Sequence, residues 1–125
     1  MPYEVAWRQP GKLAFVRVYG DFTIEELEQS VHELVSHLDQ GEPPIYILAD
    51  ATELEAYPLN IAHLNKAVRP LMQHPALHWI AAVIQSPTTN FFANTVAQLT
   101  AAKLASFKTL EQAEAFIAKQ QAAYD

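Results

Sequence analysis

Tyr3, Val5 and Trp7 alternate with polar or small residues at the start of the chain, a period of two that predicts a β-strand. Pro10-Gly11 is a turn signal. Leu13 to Tyr19 is a second β-rich run, ended by Gly20-Asp21, so the two runs predict an antiparallel hairpin. The period then changes. Thr23-Ile24-Glu25-Glu26 reads as a capping box, in which the Thr hydroxyl accepts from an orphan amide and Glu26 reaches back to the cap. Ile24, Leu27, Val31, Leu34, Val35 and Leu38 follow at helical spacing, and Gly41 closes the helix near its end.

Beyond Pro43-Pro44, Ile45 to Ala49 is a short apolar run ending at Asp50, as a strand buried on both faces would read. A loop is expected from there through Tyr57-Pro58. Ile61, Leu64, Val68, Leu71 and Met72 mark a second helix capped by Asn60, with Pro70 kinking or tightening its last turn and His74-Pro75 ending it. His78 to Ile84 is another buried run, broken by Ser86-Pro87. Phe91, Phe92, Thr95, Val96 and Leu99 outline a third helix. Leu104 to Phe107 is a short last strand. Thr109, with Gln112, caps a fourth helix that turns Leu110, Ala113, Phe116 and Ile117 to the core. The order β-β-α-β-α-β-α-β-α predicts one α/β domain over residues 1–125. Its sheet is mixed and mostly parallel, with an N-terminal hairpin and four helices mainly on one face.

Composition narrows the function classes. Half of the residues are hydrophobic and 18% are charged, below the globular average of about 25%, so a folded core is expected and not a disordered chain. The net charge is −6, and the eight Lys and Arg are dispersed. Nothing forms a basic stripe for phosphates or anionic lipid, which argues against nucleic acid and membrane surfaces as partners. The chain has no cysteine, which excludes disulfides, thiolate nucleophiles and Cys-ligated metals. Met1-Pro2-Tyr3-Glu4 lacks a basic region followed by an apolar run, and the longest apolar stretch, Trp79 to Ile84, is far short of a bilayer span of about 20 residues. The expected location is the cytoplasm, without membrane insertion.

The element order resembles the STAS-like superfamily, and the likeness runs over nearly the whole chain. It lies in Val18-Tyr19-Gly20-Asp21-Phe22-Thr23 at the strand-to-helix turn and in Ile45-Tyr46-Ile47-Leu48-Ala49-Asp50 as the central strand. His78-Trp79-Ile80-Ala81-Ala82-Val83 looks like the next strand of the SpoIIAA-like branch. Phe107-Lys108-Thr109-Leu110-Glu111-Gln112-Ala113 is similar to its closing helix entry. The resemblance implies a regulatory module without enzymatic activity, which binds a protein partner. In the anti-sigma-factor antagonists of this family, a Ser in an Asp-Ser-Ser-Gly turn after the central strand is phosphorylated to switch partner binding. The equivalent stretch here, Leu54 to Asn60, has neither Ser nor Gly, and Thr52 sits earlier than the family's acceptor. The fold also resembles that of CRAL-TRIO lipid-transfer domains, which implies an alternative, a carrier or sensor of a small apolar ligand.

Candidate chemistry is sparse. Open α/β sheets bind ligands where strands end, so a cleft is expected around Asp50, Thr52, Gln85, Ser86, Phe91 and Phe92. Each has a plain structural reading beside that one: loop or cap for the polar residues, core packing for the two rings. Glu53 and Glu55 lie near Asp50 but make only an acidic loop. His74 and His78 are four apart, but Pro75 between them keeps them off one helical turn, and the other histidines lack zinc-pair spacing. No nucleophile elbow or phosphate-cradling glycine loop exists, so no catalytic residue, metal or cofactor is assigned. The aromatic residues say more. Tyr3 and Trp7, Phe15 and Tyr19, and Tyr46 and Trp79 leave both faces of several strands apolar. Something must cover the second face: a twin subunit, a partner protein or an apolar ligand. A homodimer is expected, with Trp7, Phe15 or Tyr46 at the contact.

Overall fold

A computed structural model describes residues 3–124. The elements are β1 (Tyr3–Gln9), β2 (Leu13–Asp21), α1 (Ile24–Gln40), β3 (Ile45–Ala56), α2 (Ile61–Met72), β4 (Leu77–Val83), α3 (Pro87–Thr100), β5 (Leu104–Phe107) and α4 (Leu110–Tyr124). The five strands form one sheet in the order β1-β2-β3-β4-β5. Only β1 and β2 are antiparallel; the other pairs are parallel.

Local chemistry starts the helices, three of them where the sequence places them and α3 at Pro87, a turn ahead of the expected Phe91, because Ser86-Pro87 caps a helix as well as ending a strand. Thr23 caps α1 with both halves of the capping box formed. The Asn60 side chain accepts from the His63 amide, and Ser86 accepts from the Thr89 amide with Pro87 at the first helical position. At α4 the Thr109 hydroxyl accepts from the Gln112 amide, while the Gln112 side chain reaches the amide of Lys108. Pro70 lies within α2, which continues to Met72.

Two hydrophobic layers sandwich the sheet. On one side Val31, Leu34 and Leu38 of α1 and Leu71 of α2 pack on Ala14, Val16, Ile45, Ile47 and Ile80. The helix α3 joins the same side through Phe92 and Val96, which share a cavity wall with Val18, Val68 and Leu104. On the other side Ala113 and Ile117 of α4 pack on Leu13, Tyr46, Leu48, Ala81 and Val83. The fourth helix therefore supplies the cover that the aromatic pattern demanded. Tyr46, expected at a subunit contact, is 1% exposed beneath it. Phe15 packs against the same cluster, with the Arg8 guanidinium 4.5 Å above its ring. Trp7 is half-buried, 5.1 Å from the ring of His37. A bare aromatic face thus gives no reason for two chains to meet, because the chain covers that face itself.

The central strand is longer than its apolar run. Asp50 lies inside β3, not at its end, and pairing with β2 continues to Ala56. The register slips between Arg17–Asp50 and Tyr19–Glu53, so β3 holds one extra residue there. Beyond the slip, Leu54 faces the helix side and Glu53 meets Arg17 on the other. The segment reads as a loop because its outer face, past the reach of α4, is polar.

Candidate functional site

All four helices begin at the carboxyl end of the parallel strands, so the caps Thr23, Asn60, Ser86 and Thr109 gather at this end. The Asp50 carboxylate accepts from the Thr52 amide at 3.0 Å and the Thr52 hydroxyl at 2.8 Å, which fixes the backbone where the register slips. The Gln85 amide donates to the Lys108 carbonyl, joining the ends of β4 and β5. Ser86 is occupied as a cap. Phe91 stands 63% exposed. Phe92 points inward, edge-on to Tyr57 at 5.8 Å. The six expected cleft residues are thus divided. Thr52 lines a shallow groove with Tyr19, Gly20 and Glu53, Phe92 lines a separate apolar cavity, and neither includes the other four.

The apolar cavity has a volume of about 220 Å³. Val18 and Leu54 form its floor, Leu27, Leu64 and Val68 its sides, and Phe92 and Val96 the wall on α3. Tyr57 and Pro58 close its edge. The Thr89 hydroxyl donates to the Tyr57 hydroxyl at 3.2 Å, which ties the β3–α2 connection to α3. Sequence reasoning missed Tyr57 and Thr89. The signal was there: a lone aromatic before proline in an otherwise acidic stretch. The lining of the cavity gave none, since its residues hold ordinary core positions.

A wider groove of about 520 Å³ runs between α1 and α2, with Val31, Val35 and Pro70 at its base and Glu28, His32, His63 and Lys66 along it. The fold brings His32 and His63 to one groove although they lie on different helices. Among the described residues no group of three His, Asp or Glu is arranged to hold a metal ion. His74 is fixed between Asp39 at 2.8 Å and the Ala76 amide, and His37 bonds the Glu33 carbonyl. No helix among the described residues is long and apolar enough to cross a membrane.

At the opposite end of the sheet, His78 is the extra residue of β4 where the register passes from Ile45–Leu77 to Tyr46–Trp79. The rings of Tyr46, Tyr124 and Trp79 surround it at 5.5, 5.4 and 6.5 Å. Burial, and secondarily the nearby Lys103 ammonium, lowers its pKa from the usual 6.5. As pH falls below 6.5 the unfolded chain takes up a proton that folded His78 refuses. Stability is therefore expected to drop from that pH down to the folded pKa, below which the loss is complete. Urea melts of wild type and His78→Gln across this range should show the shallower pH slope in the variant; parallel slopes would refute the assignment.

The SpoIIAA-like family model matches residues 13–118. No curated protein matches the chain. A protein of the DUF3478 family with a SpoIIAA-like fold, from Shewanella loihica PV-4, superposes with a TM-score of 0.64 at 20% identity, covering 92% of this chain and 91% of that one. The Bacillus cell fate determinant SpoIIAA in its phosphorylated form gives 0.56 at 15% identity, covering 92% and 98%. The anti-sigma factor antagonist SpoIIAA in its unphosphorylated form gives 0.62 at 14% identity, covering 94% and 96%.

Proposed function

The chain belongs to the SpoIIAA-like family, and from that premise we propose that it is a non-enzymatic, cytoplasmic regulatory module that binds a protein partner at the carboxyl end of its sheet. The carrying observation is the apolar surface there. Leu59, on the β3–α2 connection, is 65% exposed, and Phe91, at the start of the second turn of α3, is 63% exposed. The contacts of Tyr57 with Phe92 and of Phe92 with Phe91 tie Phe91 to the connection that carries Leu59. Large side chains left in water at one end are what a protein partner covers, and aromatic residues are favoured anchors. The polar groups nearby hold backbone: Asp50 binds Thr52, and Ser86 and Asn60 cap helices. That leaves them poorly placed for acid–base work. A photo-crosslinking residue at position 59 or 91 should capture the same host protein, and one at Leu99, also exposed but at the far end of α3, should not. Capture only from position 99, or from none, would end this reading.

This member of the family is not switched by phosphate at the turn after its central strand. The cap of α2 is Asn60, whose amide accepts no phosphoryl group. The only hydroxyl in Leu54–Asn60 is that of Tyr57, already bonded to Thr89. Mass spectrometry of the protein from its native host is expected to find no stoichiometric phosphate within residues 51–60; finding one would overturn this.

The cavity behind Tyr57 favours a second reading, a carrier or sensor of a small apolar ligand. Its volume of about 220 Å³ exceeds the roughly 150 Å³ that suffices for benzene and falls below drug-sized pockets. The ligand would be a compact hydrocarbon or single-ring molecule. Native mass spectrometry of freshly purified protein should then show an added mass, lost when Ala93 at the cavity wall is enlarged to Leu.

A further inference from the structure

We infer that β1 is a self-pairing edge: two copies of the chain join antiparallel through Tyr3–Gln9 into one continuous ten-stranded sheet. This stands apart from the partner and ligand readings above. The strand β1 is the outer strand of the sheet and runs seven residues, whereas the opposite edge, β5, has only four. Edges are commonly blunted by charged side chains, lysine above all, by proline, by a bulge or by brevity. Tyr3–Gln9 has no lysine or proline, its two charges, Glu4 and Arg8, are of opposite sign, and its slip is confined to Arg8.

The order of residues along the strand identifies the occupant. Place a two-fold axis at Ala6, and Glu4 of each copy faces Arg8 of the other. Val5 then faces Trp7, and Tyr3 faces Gln9. The inner pairs lie on matching faces, whereas Tyr3 lies on the α1 side and Gln9 on the α4 side, because Arg8 is the extra residue at the slip in β1. Glu4 and Arg8 both project to the α4 side, where they contact Arg17 and Glu114. Val5 and Trp7 both pack toward α1. Opposite charges and an aromatic beside a β-branched residue are favourable cross-strand pairs. Pro10, which lacks an amide hydrogen, follows the strand directly and bounds the pairing length. A second copy of the same strand makes the positions from Glu4 to Arg8 complementary. The register slip between Trp7 and Gln9 falls at the ends of the paired segment, so the central pairs, Val5 with Trp7 and Ala6 with Ala6, use the regular part of the strand. The interface is small, so association is weak, at tens of micromolar.

Sedimentation equilibrium at and above that concentration should show the mass rising from 14.0 kDa toward twice that value. Glu4→Arg and Arg8→Glu should each weaken association about tenfold by placing like charges across the axis twice, and the double reversal should restore it. Thermal melts report that the variants remain folded. A cysteine test is independent of charge, because the chain has no cysteine of its own. In this register two copies of Ala6→Cys lie about 5 Å apart between Cα atoms, within disulfide reach, and should crosslink on mild oxidation. Two copies of Glu4→Cys lie about 14 Å apart and should not. A wild type that stays monomeric with no crosslink at position 6, equal crosslinking at positions 4 and 6, or a double reversal that fails to restore association would each overturn the inference.

Discussion

Leu48→Ala is expected to destabilise the protein by about 4 kcal/mol, as much as Ile47→Ala on the opposite face of the same strand. The two side chains are 0% and 1% exposed. Ile47 lies under α1 and α2, and Leu48 under α4. The cost combines lost transfer free energy with the cavity left in a layer that cannot collapse. It is a large share of the roughly 5–15 kcal/mol that holds a domain together. The measurement is the urea midpoint of each variant at unchanged slope. If Leu48→Ala cost less than about 1 kcal/mol while Ile47→Ala cost its full amount, α4 would not be packed on the sheet in solution. The aromatic face would then be open to a subunit after all.

Gly41→Val should cost about 3 kcal/mol for a different reason. Gly41 has an ordinary extended backbone, with φ −93° and ψ −175°, so no strain is at stake. Its need is for space. A Cβ there would lie 2.6 Å from the Ile45 side chain, 2.9 Å from the Gly11 carbonyl and 3.0 Å from the Trp7 ring. The Gly11 carbonyl is backbone and accepts from the Glu42 amide at 3.0 Å, so the turn between β1 and β2 would have to move. Gly20 makes the contrast. Its φ is +65° and nothing lies within 4 Å of its would-be Cβ. Gly20→Ala should cost only about 1 kcal/mol, through conformation alone. Denaturation of the two variants side by side separates the two mechanisms, and equal costs at positions 20 and 41 would reject the steric account.

What the sequence disclosed is what short-range chemistry decides. The Thr23–Glu26 box, the Asn60 and Thr109 caps and the alternation in Tyr3–Trp7 each depend on residues within a few positions of one another, and each formed as read. The side of the sheet taken by α4 was different. Leu110, Ala113, Phe116 and Ile117 have the same spacing whichever face they cover, so the pattern revealed an amphipathic helix but not its destination. The mis-set end of β3 has a related cause. Asp50 to Glu55 is mostly polar, and only the one-residue slip opposite Arg17–Tyr19 shows that such a segment can pair and still turn Leu54 inward. The apolar cavity was beyond reach for another reason. A sequence marks which positions are apolar, but a void depends on where the side chains of three helices fail to meet. The meeting of His32 with His63 likewise depends on how α1 and α2 lie together.

The strands sit in the sheet in the order in which they occur in the chain. That has a consequence for how the protein is made. As the polypeptide leaves the ribosome, each new strand finds its neighbour already in place, so the sheet can grow outward from the hairpin by accretion, with little search. The exception is the final helix. Arg8 meets Glu114 across 106 positions and Gln9 meets Gln121 across 112, so these contacts wait for almost the whole chain. Until α4 emerges, the apolar surface around Leu48 and Val83 has no cover. A chain truncated after Lys108 should therefore bind chaperone and yield to protease, and the chain of residues 1–125 should resist both. The fold is most vulnerable in the interval between the pairing of its strands and the arrival of α4.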